Sequence, residues 1–279
     1  MSARRHRRWV FGLGLVVATL LPAGLAAHAA LAAENTDIWP DLAKTLFQDR
    51  VLKDGSDIIA LDAPGRAEDA AIVPVTISVN LAAGDTRKLV ALTLVIDNNP
   101  SPLAGVFKVG PNSTLNSLST RIRVDTYTNV HVVAQLSDGD LYVTQRFVKA
   151  SGGCSAPMLK DATEAKASLG QMKLRQFEKR EGAASDEREV QVMIRHPNNS
   201  GMQMDQLSRL YIPPLFIEHL NLWQGNELVL TMEGGISISE DPNLRLSYRL
   251  ASAADYRVEA IDSDKHDFTA NFPFTKPQT

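Results

Sequence analysis

The stretch "KLVALTLVIDNNPSPLAGVFKV", Lys88 to Val109, decides how the chain is read. Two short runs rich in Val, Leu and Thr flank a cluster of turn residues from Asn98 to Pro102. Asn tolerates unusual backbone angles and Pro fixes them, so the middle is a turn and the flanks are strands. The same pattern extends outward. From Ile58 to Val148 the apolar period is two, through "IIALDAP", "IVPVTISVN", "STRIRVDTYT", "NVHVVAQLSDG" and "DLYVTQRFVKA". Gly84-Asp85, Gly110-Pro111 and Asp138-Gly139-Asp140 punctuate these runs, and Asp138-Gly139 suits a tight hairpin. About seven such strands with no intervening helices predict an antiparallel sandwich.

A second all-strand region begins at Glu189. "EVQVMIRHP", "PPLFIEHLNLWQGNELVLTMEGG", "NLRLSYRL", "DYRVEAIDSD" and "HDFTANFPF" again alternate, with Gly225-Asn226 as a turn. Between the two regions, "MLKDATEAKASLGQMKLRQFEKREGAASDER" is charged and carries a sparse apolar stripe at Leu169, Met172 and Phe177. It reads as part helix, part linker. Upstream, "NTDIWPDLAKTLFQDR" predicts a helix: Pro40 fits a first helical position and Trp39, Leu42, Ala43, Leu46 and Phe47 recur at three and four. The expected fold is all-β: two sandwich domains, a helix on the first, and a partly helical connector. Each sandwich would carry an edge strand, which mutual packing or a partner would cover.

The leader is distinct. "MSARRHRR" holds five cations and no acid, and an apolar run from Trp9 to about Leu25 follows, broken by Pro22. That order is an export signal, with cleavage after Ala29 or Ala32; the run is shorter than the roughly 20 residues a span requires. Arg7-Arg8 is a weak twin-arginine hint. The expected organisation is a signal peptide over 1–32, a first β domain over 33–158, a linker over 159–188 and a second β domain over 189–279. The expected compartment is the periplasm. The formal net charge of −3 includes the leader's arginines, so the remainder is more acidic and nucleic acid is a poor partner.

The chain has one cysteine, Cys154, in "QRFVKASGGCSAPM". It cannot form a disulfide within the chain, so it is a buried small hydrophobe, a link to another chain, or a reagent. Between Val148 and Met158 only alanines are apolar. Gly152 and Gly153 widen the accessible backbone angles, Ser151 and Ser155 add little bulk, and Pro157 keeps helix away. An extended chain from Val148 to Cys154 would reach about 20 Å at roughly 3.3 Å per residue. No base, second thiol or adjacent cation activates the sulfur, so a thiol loaded and unloaded by other enzymes fits better than a self-contained catalyst.

The Gly-Gly-Cys arm after a β domain resembles SoxY, the sulfur-carrier subunit of periplasmic thiosulfate oxidation, whose swinging arm ends in Gly-Gly-Cys-Gly-Gly. "VQVMIRHPNNSGM" followed by "YIPPLFIEHLNL" resembles its partner SoxZ, with an Arg-His-Pro phrase and an Ile-Pro-x-x-Phe-Ile stretch. The order in one chain is similar to fused SoxYZ-like carriers associated with quinoprotein (PQQ) dehydrogenases. The resemblance implies immunoglobulin-like sandwiches, a non-catalytic carrier, and Cys154 as the residue that holds sulfur intermediates on an arm made flexible by Ser151, Gly152, Gly153 and Ser155. It implies sulfur-oxidation or quinoprotein dehydrogenase enzymes as partners. Ser155-Ala156 replaces the family's terminal Gly-Gly, and the arm here continues into a second domain. The alternative is a docking protein for a PQQ-dependent alcohol dehydrogenase system, with the thiol incidental.

Other residues read as structural. His131, His196, His219 and His266 lack HxH or HExxH spacing, and no cofactor or metal is expected. "DNNPSP" and "HPNNSG" are turn chemistry, and Trp39 and Trp223 are packing anchors.

Overall fold

In a computed structural model, the described residues are 37–157, 167–178, 184 and 186–275. The expected signal peptide over 1–32 and residues 159–166, 179–183 and 185 of the expected connector lie outside them.

The N-terminal helix α1 (Trp39–Phe47) starts with Pro40 in its first turn, as its sequence predicts. Its apolar side lies on a sheet face, where Phe47, Trp39 and Leu46 cluster with Val133, Leu141 and Val143. The first half then supplies β1 (Leu52–Asp54), β2 (Ile59–Asp62), β3 (Val73–Val79), β4 (Leu89–Ile96), β5 (Leu103–Val109), β6 (Thr114–Ile122), β7 (Thr128–Leu136) and β8 (Leu141–Val148). The second half supplies β9 (Met172–Gln176), β10 (Glu187–Ile194), β11 (Ile217–Gln224), β12 (Glu227–Gly234), β13 (Asn243–Arg249), β14 (Tyr256–Asp262) and β15 (Asp267–Phe272).

The strands form two sheets, and both sheets run through both halves. The order is β1-β8-β7-β4-β5-β12-β11-β14-β15 in the nine-stranded sheet and β2-β3-β6-β13-β10-β9 in the six-stranded one. Pairing is antiparallel except for β1 on β8. The halves join twice: β12 pairs with β5, Met232 opposite Phe107, and β13 pairs with β6, Leu246 opposite Leu118. Edges that would template outside strands are thereby paired internally. One buried apolar cluster draws on both sheets and both halves, including Ile77, Leu92, Val192 and Leu222. These side chains alternate with outward-facing ones, as a pleated strand with one buried face requires.

One expectation needs correction. Met172–Gln176, inside the segment read as helix and linker, is a strand: its Leu174 pairs with Val192 of β10. Lys173 and Arg175 are exposed while Met172, Leu174 and Gln176 are half-buried, the alternation of an edge strand; of the apolar stripe only Met172 falls in it. The strand after it begins at Glu187, two residues before the expected boundary. β1 was not expected, because three residues carry too little pattern to read.

Candidate functional site

Two extensions and two turns build the surroundings of Cys154. Beyond β6, residues 123–125 continue in extended form, tied by the Arg123 N–H to Ser237 O (2.8 Å) and the Val124 N–H to Ala70 O (2.8 Å). The turn after β4 braces them. Asn99 Nδ2 donates to Arg123 O (2.7 Å), and Asn99 Oδ1 accepts from the Asp125 N–H (2.9 Å). Beyond β8, Lys149 is hydrogen-bonded on both sides to the 65–67 loop, which leads the chain back over residues 123–125.

Here the segment expected to be an exposed arm is a buried turn. Gly152 N–H donates to Asp125 O (2.7 Å) and Gly153 N–H to Val124 O (3.0 Å), so the backbone before the thiol is stitched down. Arg123 Nη1 donates to Gly153 O (3.2 Å), and Ser200 Oγ donates to Cys154 O. Cys154 is 0% exposed. The two glycines serve fit. Gly152 has φ +78°, where other residues are strained. At Gly153 a Cβ would lie 2.0 Å from Ala70 O and 2.7 Å from Val124 O. Ser151 and Ser155 remain exposed, and Ser155 Oγ reaches back to Gly152 O (3.3 Å).

Burial pushes the Cys154 thiol up to about 12, with Asp125 adding to the rise and the Arg123 guanidinium opposing it. At neutral pH this sulfur is a protonated thiol, a poor nucleophile. Arg123 itself is 1% exposed, and burial lowers its affinity for a proton. Its Nη2 donates to Asn198 O (3.3 Å), and its Nε is buried with no hydrogen-bond partner.

The second half closes the site through "HPNNSG". Asn198, fully buried with φ +43°, accepts the Ile217 N–H on Oδ1 (3.1 Å) and donates Nδ2 to Ile238 O (3.1 Å). His196 Nδ1 lies 2.9 Å from Asn198 Oδ1 and 3.1 Å from the Asn198 backbone N. His196 Nε2 stands 3.5 Å from Asp262 Oδ2, which His266 Nδ1 approaches to 2.8 Å. A polar chain thus runs from half-exposed His266 through Asp262, His196, Asn198 and Arg123 to the carbonyl preceding Cys154. Burial lowers the His196 pKa against the opposing pull of Asn198 and Asp262. Asp262 is raised by burial but held below the ordinary carboxylate value by donors from His266 and His196, and it raises His266 in return.

The remaining histidines stand apart from this chain. His131 Nδ1 contacts Asp97 Oδ1 (2.8 Å) and stacks under Trp39 with ring centroids 3.7 Å apart. His219 is exposed on β11. Among the described residues no three His, Cys, Asp or Glu side chains gather as a metal site. Trp223 is an anchor, its Nε1 donating to Glu259 (2.9 Å) under the Arg257 guanidinium. Sequence reasoning missed Arg123, Asp125, Asn198 and Ser200. The two Asn-rich turns and the Arg-His-Pro phrase were their only signal.

The SoxY family (sulfur oxidation protein SoxY) matches residues 43–154, ending on Cys154 itself, and the SoxZ family (sulphur oxidation protein SoxZ) matches residues 176–273. The chain is a SoxY-like half fused to a SoxZ-like half. Both matches are to sulfur oxidation proteins, and together they place the chain in the sulfur-carrier family. Among solved structures, the sulfur carrier protein SoxY from Chlorobium limicola f thiosulfatophilum is 28% identical, covering 39% of this chain and 89% of that one, with a TM-score of 0.34. A superoxide reductase (neelaredoxin) from Ignicoccus hospitalis is 12% identical over 39% of this chain and 90% of its own, with a TM-score of 0.30. No curated protein matches the chain. In SoxY–SoxZ terms, the double seam β5–β12 and β6–β13 joins the two halves, and the thiol turn is held from both: by Arg123 and Val124 of the SoxY-like half and by Ser200 of the SoxZ-like half.

Proposed function

We propose that this chain is a periplasmic carrier that holds a sulfur-containing intermediate covalently on Cys154 and presents it to sulfur-oxidising partner enzymes. The observation that carries the reading is that the SoxY match ends on Cys154, the only thiol of the chain. The closed turn is the resting state of such a carrier. Loading requires residues 152–155 to lift, breaking the hydrogen bonds to Asp125, Val124, Arg123 and Ser200 and returning the sulfur to water, where its ordinary acidity is restored. Both ends of the turn stay attached, so the motion is a local opening of a tethered loop. Joining Sγ to the outer sulfur of thiosulfate forms one S–S bond and releases one proton and two electrons, which a redox partner enzyme must accept. The export signal over 1–32 and immunoglobulin-like sandwiches for the halves 33–158 and 189–279 complete this reading, with β9 assigned to the second half.

Intact-mass measurement of protein from its native cell tests it. A sulfur-containing mass addition on Cys154, and loss of pathway activity in Cys154→Ser, are expected. A homogeneous free thiol during sulfur oxidation, with full activity in Cys154→Ser, overturns it.

One observation favours the docking reading, in which the chain is an accessory to a PQQ-dependent dehydrogenase: the thiol is sealed, while the 204–211 hairpin displays Leu207 (97% exposed), Leu210 (68%) and Tyr211 (66%). Co-purification with such an enzyme, unaffected by Cys154→Ser, would select it.

A further inference from the structure

Arg123 is an expensive residue to keep where it is. Arginine does not shed its charge in proteins, and a buried charge normally has a counter-ion. This guanidinium is 1% exposed, and its two hydrogen bonds go to neutral carbonyl oxygens, Gly153 O and Asn198 O. Among the described residues no ion pair to it is formed, and Glu240, Asp69 and the Cys154 sulfur act on it through their fields. Its Nε–H has no hydrogen-bond partner among the described residues. One of its two acceptors belongs to the turn that must lift for Cys154 to react. Opening therefore leaves a guanidinium with two of its three nitrogens, Nε and Nη1, without an acceptor at the root of the thiol's tether.

From this arrangement we infer that Arg123 is the positioning residue for the load on Cys154, and that it selects a sulfur group ending in an oxyanion over a neutral one. The inference rests on the carrier reading above. Gly153 O holds the place of an anionic oxygen while the site is empty, and the loaded arm exchanges that carbonyl for a sulfonate-type oxygen. Such an acceptor supplies the missing counter-charge, and charge-assisted hydrogen bonds to guanidinium are stronger than those to a neutral carbonyl. Asp125, whose charge the thiol feels, opposes a free anion beside the sulfur while Arg123 favours one, so the negative end belongs with Arg123.

Two defined loads separate the possibilities, each installed without an external oxidant. The Cys154 thiolate attacks an inner sulfur of tetrathionate, forming Cys–S–S–SO3⁻ and releasing thiosulfate. With hydroxyethyl disulfide it forms a neutral mixed disulfide and releases mercaptoethanol. Removal of each load by dithiothreitol is followed by intact mass on the full chain, native and in urea. The native fold is expected to slow removal of the anionic load about tenfold more than that of the neutral one, each relative to its rate in urea. Arg123→Gln should erase the difference and Arg123→Lys should retain part of it. Equal protection of both loads in the unmutated chain overturns the assignment, whether or not the variants fold. The carrier reading fails on a different result, a permanently unmodified Cys154 in the native cell with full activity in Cys154→Ser.

Discussion

The turn at Gly152–Cys154 and the hairpin at 204–211 are both connections in a β protein, yet they are built oppositely. The first buries a polarizable thiol under four hydrogen bonds drawn from both halves of the chain. The second turns apolar side chains outward from a frame closed by its own backbone, the Asp205 N–H on Leu210 O (2.9 Å) and the Ile212 N–H on Gln203 O (2.8 Å). Gln203 links them, since its Oε1 accepts from the Ser200 N–H at 2.8 Å. The contrast teaches that one turn of this chain is seated by hydrogen bonds from both halves while another leaves its apolar side chains in water. The exposed apolar surface lies a few residues from the seal, where a partner would have to work.

The largest effect that breaks this contrast is expected from Gly153→Ala. A methyl group 2.0 Å from a carbonyl oxygen cannot be relieved by a side-chain rotation, so the turn must leave its bed. A loss of about 3 kcal/mol is expected, read as a fall in the denaturation midpoint with faster alkylation of Cys154. Unchanged stability and labelling would mean that the turn is not seated as described. Gly152→Ala meets open space and is strained only by φ, so its cost should be nearer ~1 kcal/mol.

Alkylation of the unmodified chain sharpens the same point. At pH 8 the native thiol should react with iodoacetamide about 100-fold more slowly than the thiol of the urea-unfolded chain. The sign of its pH dependence follows from the raised thiol. The stability it contributes is complete below the ordinary cysteine value and is lost as pH climbs toward about 12. Alkali should therefore open the turn in the parent chain but not in Cys154→Ser. Equal alkaline sensitivity of the two would detach the transition from the thiol.

On the acid side the polar chain behind the seal has two opposed members. His196 is held neutral by burial, so its unfolded form takes the proton first and stability falls as pH drops below the ordinary histidine value. His266 is raised by Asp262; its contribution is complete below that ordinary value and is lost as pH rises through the raised one. His266→Gln removes the compensating member, so acidification from pH 7 to 5 should lower its melting temperature more than the parent's. A parallel response of the two proteins would separate His266 from the site. The smallest effect belongs to Leu207→Ser, within about 0.5 kcal/mol and without change in Cys154 labelling, because the side chain stands in water.

Much of this was legible in the residues. Alternating runs located β3, β4, β5, β7 and β8 and the β11–β12 hairpin at Gly225-Asn226, because a strand with one buried face writes its period into the sequence. Trp39 and Pro40 marked the helix for the same reason. β9 was hidden because an edge strand of five residues, with Lys173 and Arg175 outward, shares the composition of a charged linker. Cys154 was legible as the one thiol of the chain. Its surroundings were not: Arg123, Asn198, Ser200 and Asp262 lie 31 to 108 positions away in sequence, and nothing in their local patterns announces a common destination.

By itself, the sequence determined the all-β class, the two strand-rich regions, the initial helix and the identity of the sulfur, each a property of local periodicity or of one residue type, while the order of the halves came from their resemblance to SoxY and SoxZ. Only the tertiary structure decided that the halves share both sheets and that the glycine turn is closed. Strand pairing across a seam and the burial of a thiol depend on which distant backbones approach. A Gly-Gly-Cys run offers the same freedom whether it hangs in water or, as here, uses its missing side chain to lie 3.0 Å from the backbone it covers.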